Sequence, residues 1–159
     1  MLRSYPSIHQ VEIAPNGQHI AALLRRNWVA KRINIYNVTT GKRVRLTRYR
    51  KICAFSMSDQ NLIGILLYHS IYVAPKVQFF DRTASPVATF KLPTSERFPT
   101  WTYRLKSSPS GSLVAVVMYE CVYIKPVHEQ GDKYQSIPNS GFRRSIEDVL
   151  LSDTEIAIL

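Results

Sequence analysis

The sequence lacks the motifs that identify most enzymes and membrane proteins. It has no phosphate-binding glycine loop, no dinucleotide fingerprint, no Gly-x-Ser-x-Gly turn and no His or Cys spacing typical of a metal site. No apolar run approaches the ~18 residues that a membrane span requires, and Met1–Pro6 holds no apolar segment of the signal-peptide type. These absences predict a protein that is not an enzyme, that binds no cofactor or metal ion, and that is not secreted.

Cysteine is scarce as well. The two cysteines, Cys53 and Cys121, each lie in an apolar segment with the pattern of a strand. Such thiols are typical of small, buried, reduced side chains, with a disulfide or a metal pair as the alternative. We therefore expect a cytoplasmic or nuclear protein.

Acidic residues are missing from one long stretch. No Asp or Glu occurs between Ile13 and Ser58, although this span carries ten of the 21 basic residues. The other 11 basic residues balance the 11 acidic ones, so the formal charge of +10 belongs to this stretch. Such a field attracts polyanions or an acidic protein, although basic side chains also keep an outer strand soluble. The ten residues form the predicted basic contact surface: Arg25, Arg26, Lys31, Arg32, Lys42, Arg43, Arg45, Arg48, Arg50 and Lys51.

A tight turn followed by an apolar run occurs four times along the chain. The clearest copy is Leu105–Met118, in which Pro109 fixes φ for the turn and Gly111 leaves it without a steric penalty. To measure the repeat, we mark in each copy the residue that precedes the position of Pro109 in the turn. These marker residues are Ala14, Ser56, Ser108 and Leu150, and they are separated by 42, 52 and 42 residues. A period in the low forties with a hairpin in each unit is typical of a propeller blade.

Further strands are predicted after each hairpin. In the first unit Arg32–Val38 alternates apolar and polar residues, Val44 and Leu46 carry an outer strand, and Arg25–Lys31 forms an exposed connection. In the second unit the corresponding strands are 76–81 and 87–90. The punctuated segment 134–144 is assigned to no element.

The repeated turn, small-Pro-polar-Gly before an apolar run with a central Ala, resembles the segment that opens a blade in WD-repeat β-propellers. The resemblance implies an all-β fold, an incomplete β-propeller of four-stranded antiparallel blades. Its units would be about 8–51, 52–101 and 102–145, with a fourth beginning at 146–159. One departure from the family is visible, because no Trp-Asp dipeptide closes a blade; Asn37, Asp81 and Val127 stand where it would end.

Closed propellers usually contain at least four blades, whereas this sequence provides about three and a half. Because blades need neighbours to bury their faces, we expect a longer parent chain or another chain to supply the rest. We favour the longer parent chain.

The WD-repeat resemblance implies a non-catalytic protein-interaction scaffold within a larger complex, with the basic first blade as its contact surface. A nucleic-acid or ribonucleoprotein binder that uses the same surface is one alternative. Trp28, Trp101 and Tyr103 lie in connections, where aromatic side chains either anchor a partner or pack over a neighbouring blade.

A phosphoinositide-binding propeller is the second alternative. Phe142-Arg143-Arg144-Ser145 resembles the Phe-Arg-Arg-Gly motif of such propellers, with Ser145 in place of the glycine. In that family the paired arginines hold phosphate groups, so Arg143 and Arg144 are a candidate phosphate clamp. Two exposed arginines in a loop are the simpler interpretation, and a membrane partner is accordingly not expected.

Overall fold

The computed structural model of the chain describes residues 7–26, 30–45, 49–50, 52–60, 62–67, 74–81, 83–92, 104–118, 121–129, 131, 133–138, 146 and 148–159. Within these residues every regular element is a β-strand, so none is a helix able to cross a membrane. The strands form four separate antiparallel sheets.

The first sheet contains β1 (Ser7–Ile13), β2 (His19–Arg26), β3 (Ala30–Asn37), β4 (Arg43–Arg45) and β5 (Tyr49–Arg50). The second contains β6 (Ile52–Met57), β7 (Ile63–Leu67), β8 (Lys76–Phe80) and β9 (Pro86–Lys91). The third contains β10 (Arg104–Ser107), β11 (Leu113–Val117), β12 (Cys121–Pro126) and β13 (Gln135–Pro138). The fourth contains β14 (Val149–Leu151) and β15 (Ile156–Ile158).

In each of the first three sheets, four strands pair in the order in which they follow along the chain. The short β5 also pairs with β3, so the outer strand of the first sheet is divided between β4 and β5. The prediction of an all-β chain built from four-stranded antiparallel sheets is confirmed.

One backbone hydrogen bond closes the first turn of every sheet and shows which residues are equivalent. The N–H groups of four residues donate to carbonyls across their turns at 2.9 to 3.0 Å. These residues are Ala14, Ser58, Ser108 and Ser152. The sequence alignment on Ser56 and Leu150 is therefore wrong by two residues. The turns that follow Ser58 and Ser152 are shorter and lack the proline and glycine found in the turns that follow Ala14 and Ser108. The sequence therefore offered no shared residue on which to align them.

Two further sequence interpretations need correction. The exposed connection predicted over Arg25–Lys31 is wrong at both of its ends, because β2 and β3 continue pairing beyond their apolar centre and Arg25 lies opposite Lys31. Its centre, 27–29, lies outside the described residues. Backbone pairing needs no apolar side chain, so the charged residues did not end the ladder. The segment without an assigned element contains β13, in which Ile137 pairs with Val122.

Three apolar clusters lie between successive sheets. Leu23 and Phe55 belong to the cluster between the first and second sheets, Leu66 and Leu105 to that between the second and third, and Val149 to the last. Because successive residues of a strand point to opposite faces, an inner sheet buries one set of side chains on each neighbour. We call the face toward the preceding sheet the leading face and the opposite one the trailing face. In the first sheet, the leading face is the one that points away from the second sheet.

Candidate interaction surface

The basic residues of the first sheet occupy both faces. Arg32 alternates along β3 with Asn34 and Tyr36, and the register places Arg45 opposite Asn34 and Arg43 opposite Tyr36. Directly paired residues of an antiparallel sheet share a face. These five positions therefore lie on the leading face, away from the second sheet, and we call them the basic patch.

One member of the basic patch is a buried amide. Asn34 is only 4% exposed, and its side-chain nitrogen donates a hydrogen bond of 3.2 Å to the hydroxyl of Tyr36. Its side-chain oxygen accepts no hydrogen bond in the described part of the chain. A buried acceptor without a donor is costly. Arg43 is exposed beside it and Arg32 is half-buried.

Other predicted basic residues lie elsewhere on the sheet. Arg25 and Lys31 pair with each other in the register of the trailing face, where Arg25 is half-buried. Arg26 and Arg50 both pair with Ala30, in the register of the leading face. Lys42 is exposed in the turn before β4. The register therefore divides the basic stretch, and only part of it adjoins the basic patch.

Seven predicted contact residues lie outside the described residues: Arg48, Lys51, Trp28, Trp101, Tyr103, Arg143 and Arg144. Their proposed roles as polyanion contacts, partner anchors and phosphate clamp stay predictions from the sequence.

Sequence reasoning missed an exposed apolar strip on β1. Its members, Ile8, Val11 and Ile13, are 67%, 49% and 61% exposed on the leading face of the first sheet. Counting back from the turn residues Ala14 and Ser58 aligns them with Ile52, Phe55 and Met57, which are 0%, 0% and 4% exposed. The correct alignment of the second turn would have revealed that equivalence. We call these three residues the apolar strip.

The first turns of the four sheets are linked by hydrogen bonds in chain order. The Asp59 carboxylate accepts a bond from the backbone N–H of Asn16, and the Asn16 amide donates to the Asp59 carbonyl at 3.1 Å. The backbone N–H of Asp59 donates to the carbonyl of Pro109 at 2.8 Å. Asp153 in turn accepts bonds from the backbone and the hydroxyl of Ser110.

These contacts affect ionisation. Hydrogen bonds from the hydroxyls of Ser110 and Ser108 hold the pKa of the exposed Asp153 carboxyl below its usual value. Burial, with a smaller effect of neighbouring Cys121, raises the pKa of the Tyr123 phenol well above its usual value. The phenol therefore stays neutral, and Tyr123 packs edge-on against Tyr134.

Two residues at the positions of the missing Trp-Asp dipeptide close local turns. Asn37 accepts hydrogen bonds from the backbone N–H of Thr40 at 2.8 Å and from its hydroxyl at 2.9 Å. Asp81 accepts bonds from the backbone N–H groups of Thr83 at 2.8 Å and Ser85 at 2.9 Å. Their role in the described residues is to fix the turns before β4 and β9.

A cleft of about 550 Å³ lies where the two-stranded fourth sheet leaves the outer half of the third uncovered. Its lining includes the apolar residues Ile124, Ile137 and Ile156 and the acidic residues Glu129 and Glu155. No group of three His, Cys, Asp or Glu side chains among the described residues could hold a metal ion.

Solved structures with a similar fold cover nearly the whole chain. TolB from Acinetobacter baumannii superimposes with a TM-score of 0.61 at 13% identity, over 99% of this chain and 41% of TolB. Sqt1 from Saccharomyces cerevisiae gives 0.59 at 14% identity, over 96% of this chain and 42% of Sqt1. Prolyl oligopeptidase B from Galerina marginata gives 0.59 at 8% identity, over 96% of this chain and 25% of the oligopeptidase.

TolB and Sqt1 are β-propellers, and the chain therefore has the fold of an incomplete β-propeller. It spans about two-fifths of the length of each. No protein-family model matches the sequence, and no curated protein matches it either.

Proposed function

We propose that this chain is a non-catalytic protein-interaction scaffold of the cytoplasm or nucleus, part of a larger assembly, and that the basic patch is a contact surface. The observation that supports the proposal is the grouping on one face of exposed Arg43, half-buried Arg32 and half-buried Tyr36.

The composition of this face favours a protein partner. Arginine and tyrosine are the residue types that most often dominate protein–protein binding energy. The apolar strip lies two strands away on the same face, and a mixture of apolar and basic area is typical of protein interfaces. The matching partner surface would present carboxylates.

Nucleic acid is the second candidate, because no acidic residue lies between Ile13 and Ser58 to weaken the positive field. Nucleic-acid interfaces are more polar and more positive than protein interfaces. A nucleic-acid contact would therefore engage the basic positions without the apolar strip.

A charge-reversal experiment separates these functions. Arg43→Glu is compared with Lys133→Glu, which changes the net charge equally at an exposed residue in the connection between β12 and β13. We expect the wild type and K133E to retain the same acidic protein from an extract, and R43E to lose it. With that partner purified, we expect R43E to weaken binding about tenfold or more.

Single-stranded RNA and vesicles containing phosphatidylinositol bisphosphate serve as the other probes. The scaffold proposal predicts weak binding to both. RNA binding that R43E weakens, and whose logarithm falls with log salt by several units, would support the nucleic-acid function instead. Vesicle binding lost in Arg143→Ala would support the phosphoinositide function.

A further inference from the structure

The four sheets share one orientation, because their first turns are hydrogen-bonded to one another in chain order. The first and third sheets have Pro-polar-Gly turns, and the second and fourth have the Ser-Asp turns Ser58-Asp59 and Ser152-Asp153. The backbone N–H of Asp59 donates to the carbonyl of Pro109 at 2.8 Å, and Ser110 donates to Asp153. We call this end of the sheets the turn end. The opposite end, where β1, β6, β10 and β14 begin, is the base.

Charged residues are divided unequally between the two ends. Among the described residues, the connections at the turn end carry five acidic residues and two basic ones: Asp59, Asp81, Glu129, Asp153 and Glu155 against Lys42 and Lys133. Within two residues of the base there are seven basic residues and one acidic one: Arg25, Arg26, Lys31, Arg50, Lys76, Lys91 and Arg104 against Asp148. The base is therefore the positive end of the described chain.

The rest of the sequence near these strand ends does not reverse that sign. The segments 46–48, 51, 93–103, 119–120 and 139–147 lie outside the described residues. Together they add five Lys or Arg and three Asp or Glu to the count. The excess of positive charge at the base therefore does not depend on which of its residues are described.

Like charges are paired directly at the base of two sheets. Arg25 lies opposite Lys31 across β2 and β3, and Lys76 lies opposite Lys91 across β8 and β9. Like charges in directly paired positions destabilise a sheet. Departures from such local preferences are expected at functional sites. A bound anion would offset the repulsion within each pair.

The two like-charged pairs belong to faces that look toward each other. Val77 and Phe90, the neighbours of Lys76 and Lys91, are buried in the cluster between the second and third sheets. Because neighbours in a strand point to opposite faces, both lysines lie on the leading face, toward the first sheet. Arg25 lies on the trailing face of the first sheet, toward the second. Lys91 is exposed, and Lys76 and Arg25 are half-buried.

The third sheet extends the positive strip. Arg104 begins β10, and its side chain is 55% exposed. The carboxylate of Asp148 lies 3.2 Å from the Arg104 guanidinium and 3.3 Å from the Lys106 ammonium group. One carboxylate is thus shared by two cations, and the group keeps a net positive charge. The strip therefore reaches across three successive sheets.

The described part of the base offers charge rather than apolar area. On the second and third sheets, the large apolar side chain that is exposed among the described residues is Val87, which lies toward the turn end of β9. Membrane and protein interfaces bury apolar area, so neither is favoured here. A surface that binds through charge gains most from the polyanion of highest charge density. A nucleic-acid duplex carries one negative charge per about 1.7 Å of its axis.

We propose that the base binds the phosphate backbone of double-stranded nucleic acid, with Arg25, Lys76, Lys91 and Arg104 among its contacts. Binding is independent of base sequence, because phosphate contacts carry no sequence information. The site goes beyond the proposed scaffold function and uses another surface, since the basic patch lies on the leading face of the first sheet. One chain then holds a protein partner and a duplex at separate places.

The test measures binding of the whole chain to short fluorescent RNA and DNA duplexes over a range of salt concentrations. Lys76→Gln with Lys91→Gln removes two phosphate contacts. Each contact contributes about 0.9 to the slope of log affinity against log salt, so the slope should become shallower by about two. Affinity at low salt should fall about tenfold or more. Lys42→Gln with Lys133→Gln, which removes two exposed lysines of the turn end, is the matched control and should change neither value.

Urea unfolding separates a binding role from a structural one. Because Lys76 and Lys91 repel each other, we expect their double glutamine variant to be at least as stable as the wild type without duplex. A wild-type chain that binds no duplex at low salt would overturn the proposal. So would equal losses of affinity in the two double variants, or a Lys76 and Lys91 variant that loses binding because it unfolds more easily.

Two further ligands and one further variant complete the test. Single-stranded RNA or phosphatidylserine vesicles that bind more tightly than the duplex would overturn the choice of ligand. We expect R43E to lose the protein partner and keep duplex binding, which would support two separate surfaces. Duplex binding that R43E weakens as much as the Lys76 and Lys91 variant does would place the contact on the basic patch and overturn the proposal.

Discussion

Asp153 accepts hydrogen bonds from both the backbone N–H and the hydroxyl of Ser110, 43 residues earlier in the chain. Asp59 contacts Asn16 across the same separation of 43 residues, through bonds to its carboxylate and its carbonyl. The same contact therefore joins the first sheet to the second and the third to the fourth. The unit that repeats in this molecule is a pair of sheets, one with a Pro-polar-Gly turn and one with a Ser-Asp turn.

The first prediction concerns pH. Because its hydrogen bonds lower the pKa of Asp153 in the folded state, this carboxylate stabilises the fold above its unfolded pKa, and the contribution is lost as pH falls through the lower folded pKa. We expect the Ser110 amide resonance to shift only below about pH 4. Asp153→Asn should abolish that titration in a pH series of NMR spectra. A midpoint at or above the usual aspartate value would contradict the assigned contact.

The second prediction compares two glycines with positive φ, Gly17 at 69° and Gly111 at 76°. Alanine at either position strains the backbone by about 1–2 kcal/mol. At Gly111 the added Cβ would also crowd the Ser58 hydroxyl, whereas at Gly17 it meets nothing within 4 Å. Under conditions where the chain is monomeric, urea unfolding should show Gly111→Ala to be less stable than Gly17→Ala by at least about 1 kcal/mol. Equal losses would show that the two turns are not packed differently.

The third prediction applies one substitution to equivalent isoleucines. Ile52 is fully buried between the first and second sheets, while Ile8 is 67% exposed. Ile52→Ala should lower the free energy of unfolding by about 2–5 kcal/mol. Ile8→Ala should change it by less than about 1 kcal/mol in the monomer, because little apolar area is removed from contact. A large loss in Ile8→Ala would mean that the apolar strip is covered within one chain.

The fold class could be predicted from the sequence because the signals for it lie within short segments of the chain. The turn at Pro109 and Gly111 and the apolar run after it specify a hairpin wherever they occur, and an apolar run such as that of β11 is typical of a strand buried on both faces. The alignment failed only at the Ser-Asp turns. Those turns are closed by hydrogen bonds from the backbone N–H groups of Ser58 and Ser152, which the residue types alone do not reveal.

The candidate surface was harder to predict. Charge counting along the chain placed Arg25 and Arg32 in one basic surface, but strand parity puts them in the register of opposite faces. The apolar strip escaped notice because Ile8, Val11 and Ile13 look like ordinary strand residues. Their exposure depends on which sheet lies next to β1, and that is a long-range property.

The central claim is that successive sheets stack with the leading face of each on the trailing face of the one before it. Cysteines at Ser56 and Ser107, in a chain whose Cys53 and Cys121 are replaced by alanine, test it most directly. The hydroxyl oxygens of these serines lie 2.6 Å apart, and a disulfide needs such proximity. We predict rapid, nearly complete crosslinking in Ser56→Cys with Ser107→Cys and little in Ser56→Cys with Lys106→Cys, since Lys106 lies on the opposite face. Absent crosslinking in the first pair, or equal crosslinking in both, would contradict the stacking.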